Sequence, residues 1–156
     1  MKALREAGNS FLTEIYGLDD ETLTWRPAED EPSIKEIAAH VRDASELALA
    51  QITHLLFRGR GKLPAQDIDV LLMERDYRTC DLDDVLDEFR DNRRELVSLL
   101  WSLTSSDWDA TASHPYRGEI SAATIAGELA RHDLEHLWHV RKIKATLPAK
   151  IRNGEE

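Results

Sequence analysis

A single cysteine, Cys80, stands in the whole chain, so no internal disulfide can brace it, and a lone thiol suits a reducing compartment. Glycine and proline are sparse, at 7 and 5 residues, which excludes a collagen-like or linker-rich chain. No run of about 18 apolar residues occurs, so no transmembrane helix is expected. The opening MKALREAGNS places Glu6 and Asn9 where a secretory signal needs an apolar stretch. Together these absences predict a cytoplasmic protein. Basic charge is also short: 20 Lys and Arg stand against 30 Asp and Glu, a formal net charge of -10. Such a balance repels a phosphate backbone and argues against nucleic acid as a partner. The basic run Arg58-Gly59-Arg60-Gly61-Lys62 holds only three charges in a glycine-containing turn.

What is present is a chain of 156 residues, 42% hydrophobic and 32% charged, enough to bury one core but not two, so one domain spanning 1–156 is expected. Four stretches repeat apolar residues at the helical period. The first, 2–17, carries Leu4, Ala7, Phe11 and Ile15 and stops at Gly17. The second opens with the capping box Ser33-Ile34-Lys35-Glu36, runs through Ile37, Val41, Ala48, Ile52 and Leu55, and stops at Gly59. The third follows Asp81 as N-cap and aligns Leu82, Leu86, Phe89, Leu96, Leu100 and Leu103. The fourth opens near Ser121, shows Ile125, Leu129, Val140 and Ile143 inward, and ends before Pro148.

Strand signals are weak, so the predicted class is all-α: a four-helix bundle. Connections near 18–32, 60–80 and 104–120 exceed ordinary bundle turns and permit a crossover topology. The middle one holds Ile68, Val70, Leu71, Leu72 and Met73, which predicts a short helix packed over the bundle.

The histidines break the apolar pattern. With Ile125 at zero and about 100° per residue, His132 and His136 fall within about 40° of it, inside the apolar stripe. His40 lies about 60° from Ile37, on the flank of the buried face of the second helix. His54 comes out near 100° off its stripe, a surface or interhelical position. His139 lies about 40° off its stripe, and His114 sits in a loop before Pro115. A buried imidazole without partners costs about 1–3 kcal/mol per unsatisfied group. Either a polar network in the core or a divalent metal would relieve that cost. The metal is the economical solution, because side chains at i and i+4 can converge on one ion and a third histidine from a facing helix closes the triangle. Three protein ligands with an open position is the arrangement of catalytic sites.

His132-Asp133-Leu134-Glu135-His136 reads literally as H-x-x-E-H, the inverted zincin motif with Glu135 as base. Only twenty residues follow His136, too few for the further ligand and cleft of such peptidases. No Glu-x-x-His pair exists for a di-iron bundle. Asn92 and Arg93 interrupt the stripe of the third helix, and one of them is a candidate to hold an anionic substrate; an Arg snorkelling to the surface beside a tolerated Asn is the plainer reading. Cys80 precedes a helix start and reads as a bystander thiol.

Leu23-Thr24-Trp25-Arg26-Pro27, Ser33-Ile34, Ala38-Ala39-His40-Val41, Tyr116-Arg117-Gly118-Glu119-Ile120 and the His132–His136 segment occur in an order and spacing that resembles the DinB-like superfamily, also called DinB/YfiT-like. The resemblance implies a four-helix bundle with a long crossover, a homodimer, and nickel or zinc held by His40, His132 and His136 with water in the remaining positions. Many members carry a histidine just before the final ligand and a glutamine three residues after it; this chain has Glu135 and His139. Relatives with assigned chemistry look like enzymes that use a low-molecular-weight thiol such as mycothiol, bacillithiol or glutathione. The expected function is therefore a metal-dependent thiol S-transferase, or a hydrolase, acting on a small molecule. The competing expectation is a non-catalytic metal-binding or dimerising bundle, and a nucleic-acid-associated stress protein stands behind both.

Overall fold

The computed structural model of the protein describes residues 1–57 and 61–154. In chain order its helices are α1 (Lys2–Ile15), α2 (Asp20–Thr24), α3 (Ile34–Phe57), α4 (Ile68–Glu74), α5 (Leu82–Trp101), α6 (Ser105–Asp109), α7 (Ala122–Ala145) and α8 (Ala149–Arg152). The long ones, α1, α3, α5 and α7, lie where the apolar periodicity predicted helices. The basic run around Arg58 and the expected stop at Gly59 fall on 58–60, outside the described residues.

Local chemistry sets the helix starts. Asp81 accepts a hydrogen bond from the Asp84 backbone N–H and Ser121 from that of Thr124, so α5 and α7 each begin one residue past an N-cap. At the head of α3 the capping box is reciprocal: Glu36 N–H donates to Ser33 Oγ at 3.2 Å, and Ser33 N–H donates to Glu36 Oε1 at 3.3 Å. Arg26 then grips the same carboxylate, through Nε at 2.7 Å and Nη2 at 2.6 Å. That bidentate pair fastens the connection from α1 to the start of α3.

The helix α7 packs against both α1 and α3, and α5 packs on α3. In a simple up-and-down bundle consecutive helices are neighbours; here the last long helix slots between the first two, a crossover order. Two apolar clusters fill the interior. One gathers Phe11, Ile15, Ile37, Val41, Phe89, Leu137, Val140 and Ile143. The other gathers Leu4, Ala48, Ile52, Leu96, Leu100, Ile125 and Leu129. Along α5 and α7 the changeover between the clusters falls at polar residues, Arg93 and Asp133, both buried.

The connection 104–120, in which the sequence signals no strand, forms after α6 a small antiparallel hairpin of β1 (Thr111–His114) and β2 (Gly118–Ser121), with Ala112 opposite Ile120. These strands are four residues each and their turn contains no Asn-Gly or Asp-Gly pair, so period-two alternation had too little length to register. Burial of Ala112 and Ile120 holds the hairpin to the core, and Gly118 takes the positive φ of 74° that closes its turn. The short helix expected in the middle connection is present as α4 and packs on α3; Ile68, Leu71 and Leu72 are half-covered there and Met73 is exposed.

Removing the cap of α3 with Ser33→Ala should cost about 1 kcal/mol. Urea unfolding of the variant would read this as a lowered midpoint with an unchanged slope.

Candidate metal centre

His40, His132 and His136 come together where α3 and α7 pack side by side. The Nε2 atoms of His132 and His40 are 3.0 Å apart, and those of His136 and His132 are 3.1 Å apart. The His40 and His136 ring centroids are 4.6 Å apart, edge to face. One nitrogen from each ring lies within 4.8 Å of the other two. His40 is wholly buried, while His132 and His136 are half-buried.

The protonation chemistry suits a metal. Burial, reinforced by the neighbouring His132, pushes His40 down to about 4. Burial, with His132 and His40 adding to it, pushes His136 down to about 3, and burial also lowers His132. All three rings are therefore neutral near pH 7 and offer lone pairs. The Nδ1 atom of each is buried and without a hydrogen-bond partner. With Nε2 of His132 facing both neighbours at about hydrogen-bond distance, hydrogen bonds among the rings alone satisfy this cluster poorly. Two of the three nitrogen pairs are about 3 Å apart, close enough for both members to stand about 2.1 Å from a common point, the distance imidazole nitrogen takes to zinc. The three residues fit a divalent ion.

Asp69, at the second position of α4, brings Oδ1 within 3.6 Å of His40 Nε2 while its side chain remains 89% exposed. Asp67 caps α4, accepting from the N–H groups of Asp69 and Val70 at 3.1 Å each. A cavity of about 520 Å³ opens onto His132 between this segment, the hairpin and α7; its charged lining is Asp67, Asp69 and Glu128 against Arg117. Arg117 is already committed to Glu128, with Nη1 at 2.8 Å. His114 also lines the cavity, its Nδ1 accepting from the Tyr116 N–H at 3.1 Å. The crossover is tied to the hairpin by Leu63 N–H donating to the Ser113 carbonyl at 2.9 Å.

Asn92 and Arg93 lie elsewhere. Arg93 is buried, and Nη1 and Nη2 meet Asp133 at 2.6 and 2.9 Å while Nε donates to Ser45 Oγ at 2.9 Å. Ser45 Oγ in turn donates to Asn92 Oδ1 at 2.5 Å. The guanidinium is thus occupied by protein partners. Asp133, missed by the sequence reasoning, is wholly buried beside His132; its signal was a pair of opposite charges on the inner flanks of two helices. Asp69 was missed because its place beside His40 depends on the path of the crossover from α3 to α5 and not on spacing within α4.

Glu135 is exposed, away from the interior where an inverted-zincin base would be needed. His139 is half-buried, its ring 6.1 Å from that of His136. His54 is half-buried near Gly61. Burial raises the Cys80 thiol above its ordinary value, so it is a protonated bystander at neutral pH.

Architecture and site together define a crossover four-helix bundle with a three-histidine cluster inside it. The chain belongs to the DinB superfamily, whose sequence pattern matches residues 3–140. It is 25% identical over 142 residues to a protein of Oceanobacillus iheyensis named, provisionally, a metal-dependent hydrolase; the match spans 90% of this chain and 81% of that protein. YfiT of Bacillus subtilis, described provisionally as a metal-dependent hydrolase with an unusual four-helix bundle topology, superposes with a TM-score of 0.81 at 16% identity, over 92% of this chain and 83% of its own. TT2238, described as a four-helix bundle protein, gives 0.66 at 18% identity, over 90% and 94%. These two structures share the fold. Among the described residues no helix is long and apolar enough to cross a membrane.

Removing one partner of the buried ion pair leaves the other charge stranded, so Asp133→Ala should destabilise the metal-free protein by about 3–5 kcal/mol, whereas the apolar double replacement Arg93→Met with Asp133→Leu should cost far less. Urea denaturation of the two variants makes the comparison. A second expectation concerns pH. The three rings titrate lower when folded than the ordinary 6.5, so the unfolded chain takes up protons first as the solution is acidified. Stability of the metal-free protein is full above about 6.5 and is lost as pH falls toward the folded values of about 4 and about 3 for His40 and His136. Urea midpoints at pH 7 and pH 5 should differ more for the wild type than for a His40→Gln/His136→Gln variant.

Proposed function

We propose that the protein is a metal-dependent hydrolase of a small molecule, with His40, His132 and His136 as the ligands of one divalent ion. The observation that carries this is the convergence of three neutral imidazole nitrogens, with Nε2 of His132 3.0 and 3.1 Å from its two neighbours, beside a cavity that opens onto His132. The name of the Oceanobacillus relative supports the same reaction class. When bound, the ion supplies a Lewis acid that polarises a substrate oxygen and makes a nucleophile available near neutral pH.

The chain's own residues do the rest. His40, His132 and His136 turn Nε2 toward a common point, and rings held neutral by burial can present lone pairs there. Asp69 Oδ1, 3.6 Å from His40 Nε2 and otherwise in solvent, stands where it can accept a proton from a nucleophile entering on the open side. The pair of Arg117 and Glu128 stiffens the opposite wall. The cavity volume, about 520 Å³, accommodates a small molecule.

A thiol S-transferase is the second reading, favoured by the room in that cavity for a nucleophile larger than water. Against it, Asp67 and Asp69 at the mouth repel the carboxylates of a thiol such as glutathione. Zinc and nickel both suit three imidazoles.

Protein purified without added metal should contain about one zinc or nickel per chain by elemental analysis, and His132→Ala should lose it. Chelation should lower the melting temperature of the wild type and leave that of His132→Ala unchanged. Turnover of model esters and amides without thiol supports hydrolysis; turnover of an electrophile only with an added thiol sinks it in favour of transfer. Inactivity of the metal-filled protein in both assays supports a non-catalytic bundle.

A further inference from the structure

A second cavity, of about 570 Å³, lies between α1 and α5. Its lining includes Arg5, Arg90, Arg93 and Arg94 and no carboxylate. In a chain with 30 acidic and 20 basic residues, that segregation runs against the average surface. Among the described residues Arg5 has no acidic partner. Arg90 and Arg94 each hold a single contact, at 3.2 and 3.3 Å, to Asp87 and Asp91 three residues earlier on their own helix. All four of these side chains are 45% exposed or more, and exposed pairs of this kind hold their partners weakly. Both guanidinium groups can therefore exchange the local carboxylate for an incoming anion. Arg93 is not available in the same way, because Asp133 holds it in the floor.

The same cavity has an apolar side. Phe89 lies in its lining, and Trp101, the last residue of α5, is 68% exposed at its rim. The indole also borders the adjoining cavity near Met1, which shares Arg5 and Asn9 with the first. An uncovered indole flanked by guanidinium groups offers a flat face to stack on and fixed positive charge at its edge.

We propose that this groove is a second binding site, separate from the histidine cluster, for a small organic anion with a flat apolar body. Charge complementarity selects this occupant. A second copy docked here about a two-fold axis would set Arg5, Arg90 and Arg94 against their own equivalents. A nucleic acid meets the repulsion of a net charge of -10, which a small anion hardly feels once inside. The volume falls in the usual range for small-molecule sites, roughly 300–1,000 Å³.

Naphthalene-2-sulfonate is a suitable probe, and 2-naphthylmethylammonium is its cationic counterpart. Titration calorimetry on the whole chain should give saturable one-to-one binding of the sulfonate that weakens as salt is raised. Arg5→Gln/Arg94→Gln should weaken it at least tenfold, Trp101→Ala should weaken it as well, and His132→Ala should leave it unchanged. Circular dichroism melts establish that the groove variants remain folded, and elemental analysis that they keep their metal. No binding of the sulfonate, equal binding of the ammonium compound, or undiminished affinity in the arginine double variant would overturn the proposal. Loss of sulfonate binding in His132→Ala with the fold intact would overturn its separateness from the histidines.

Discussion

Asp133 is wholly buried and meets Arg93 through two charge-assisted hydrogen bonds, and the rotation of α7 about its own axis follows from that pair. With Asp133 turned toward α5, one residue back and three residues on turn His132 and His136 toward α3, where His40 waits. Ser45, on α3 itself, accepts the third guanidinium hydrogen bond, so one arginine binds the three helices that matter to the site. Taking two charges out of water is costly, and an apolar pair of the same volume would hold the bundle together as well. What the ion pair adds is orientation. Apolar side chains tolerate small rotations, while a bidentate guanidinium and carboxylate do not.

The polar groups also divide the core. Phe89 belongs to one apolar cluster and Leu96 to the other, with Arg93 between them on α5; Ala130 and Leu137 are parted in the same way by Asp133 on α7. Packing on both sides excludes water from the middle, and exclusion of water is what keeps the imidazoles neutral. Hydrophobic burial and ligand chemistry are thus linked: the apolar clusters that stabilise the bundle also set the protonation state of its histidines.

Much of this was legible in the sequence. The four long helices followed from apolar spacing, and the starts of α3, α5 and α7 from Ser33, Asp81 and Ser121, because capping is a local interaction written in adjacent residues. The meeting of His40 with His132 and His136 was also legible, since an i, i+4 pair inside an apolar stripe has few ways to be satisfied. The hairpin escaped because strands of four residues carry almost no periodic signal and are held by tertiary burial of Ala112 and Ile120. The partner of Arg93 escaped because helical-wheel reasoning treats each helix alone, and a charge on the inner flank looks like an error until its counterpart on another helix is in view. Asp69 escaped for a related reason: its place is fixed by the path of the crossover from α3 to α5, a long-range property.

The tie between Leu63 and Ser113 joins the two connections that wall the approach to His132. Much of that vestibule is therefore built from loop-borne residues, while the imidazoles stand on the two most extended helices. Insertions and exchanges in connecting segments are tolerated far better than changes in packed helices. Evolution can re-cut the doorway of such a molecule, altering which compounds are admitted, without touching the hearth behind it.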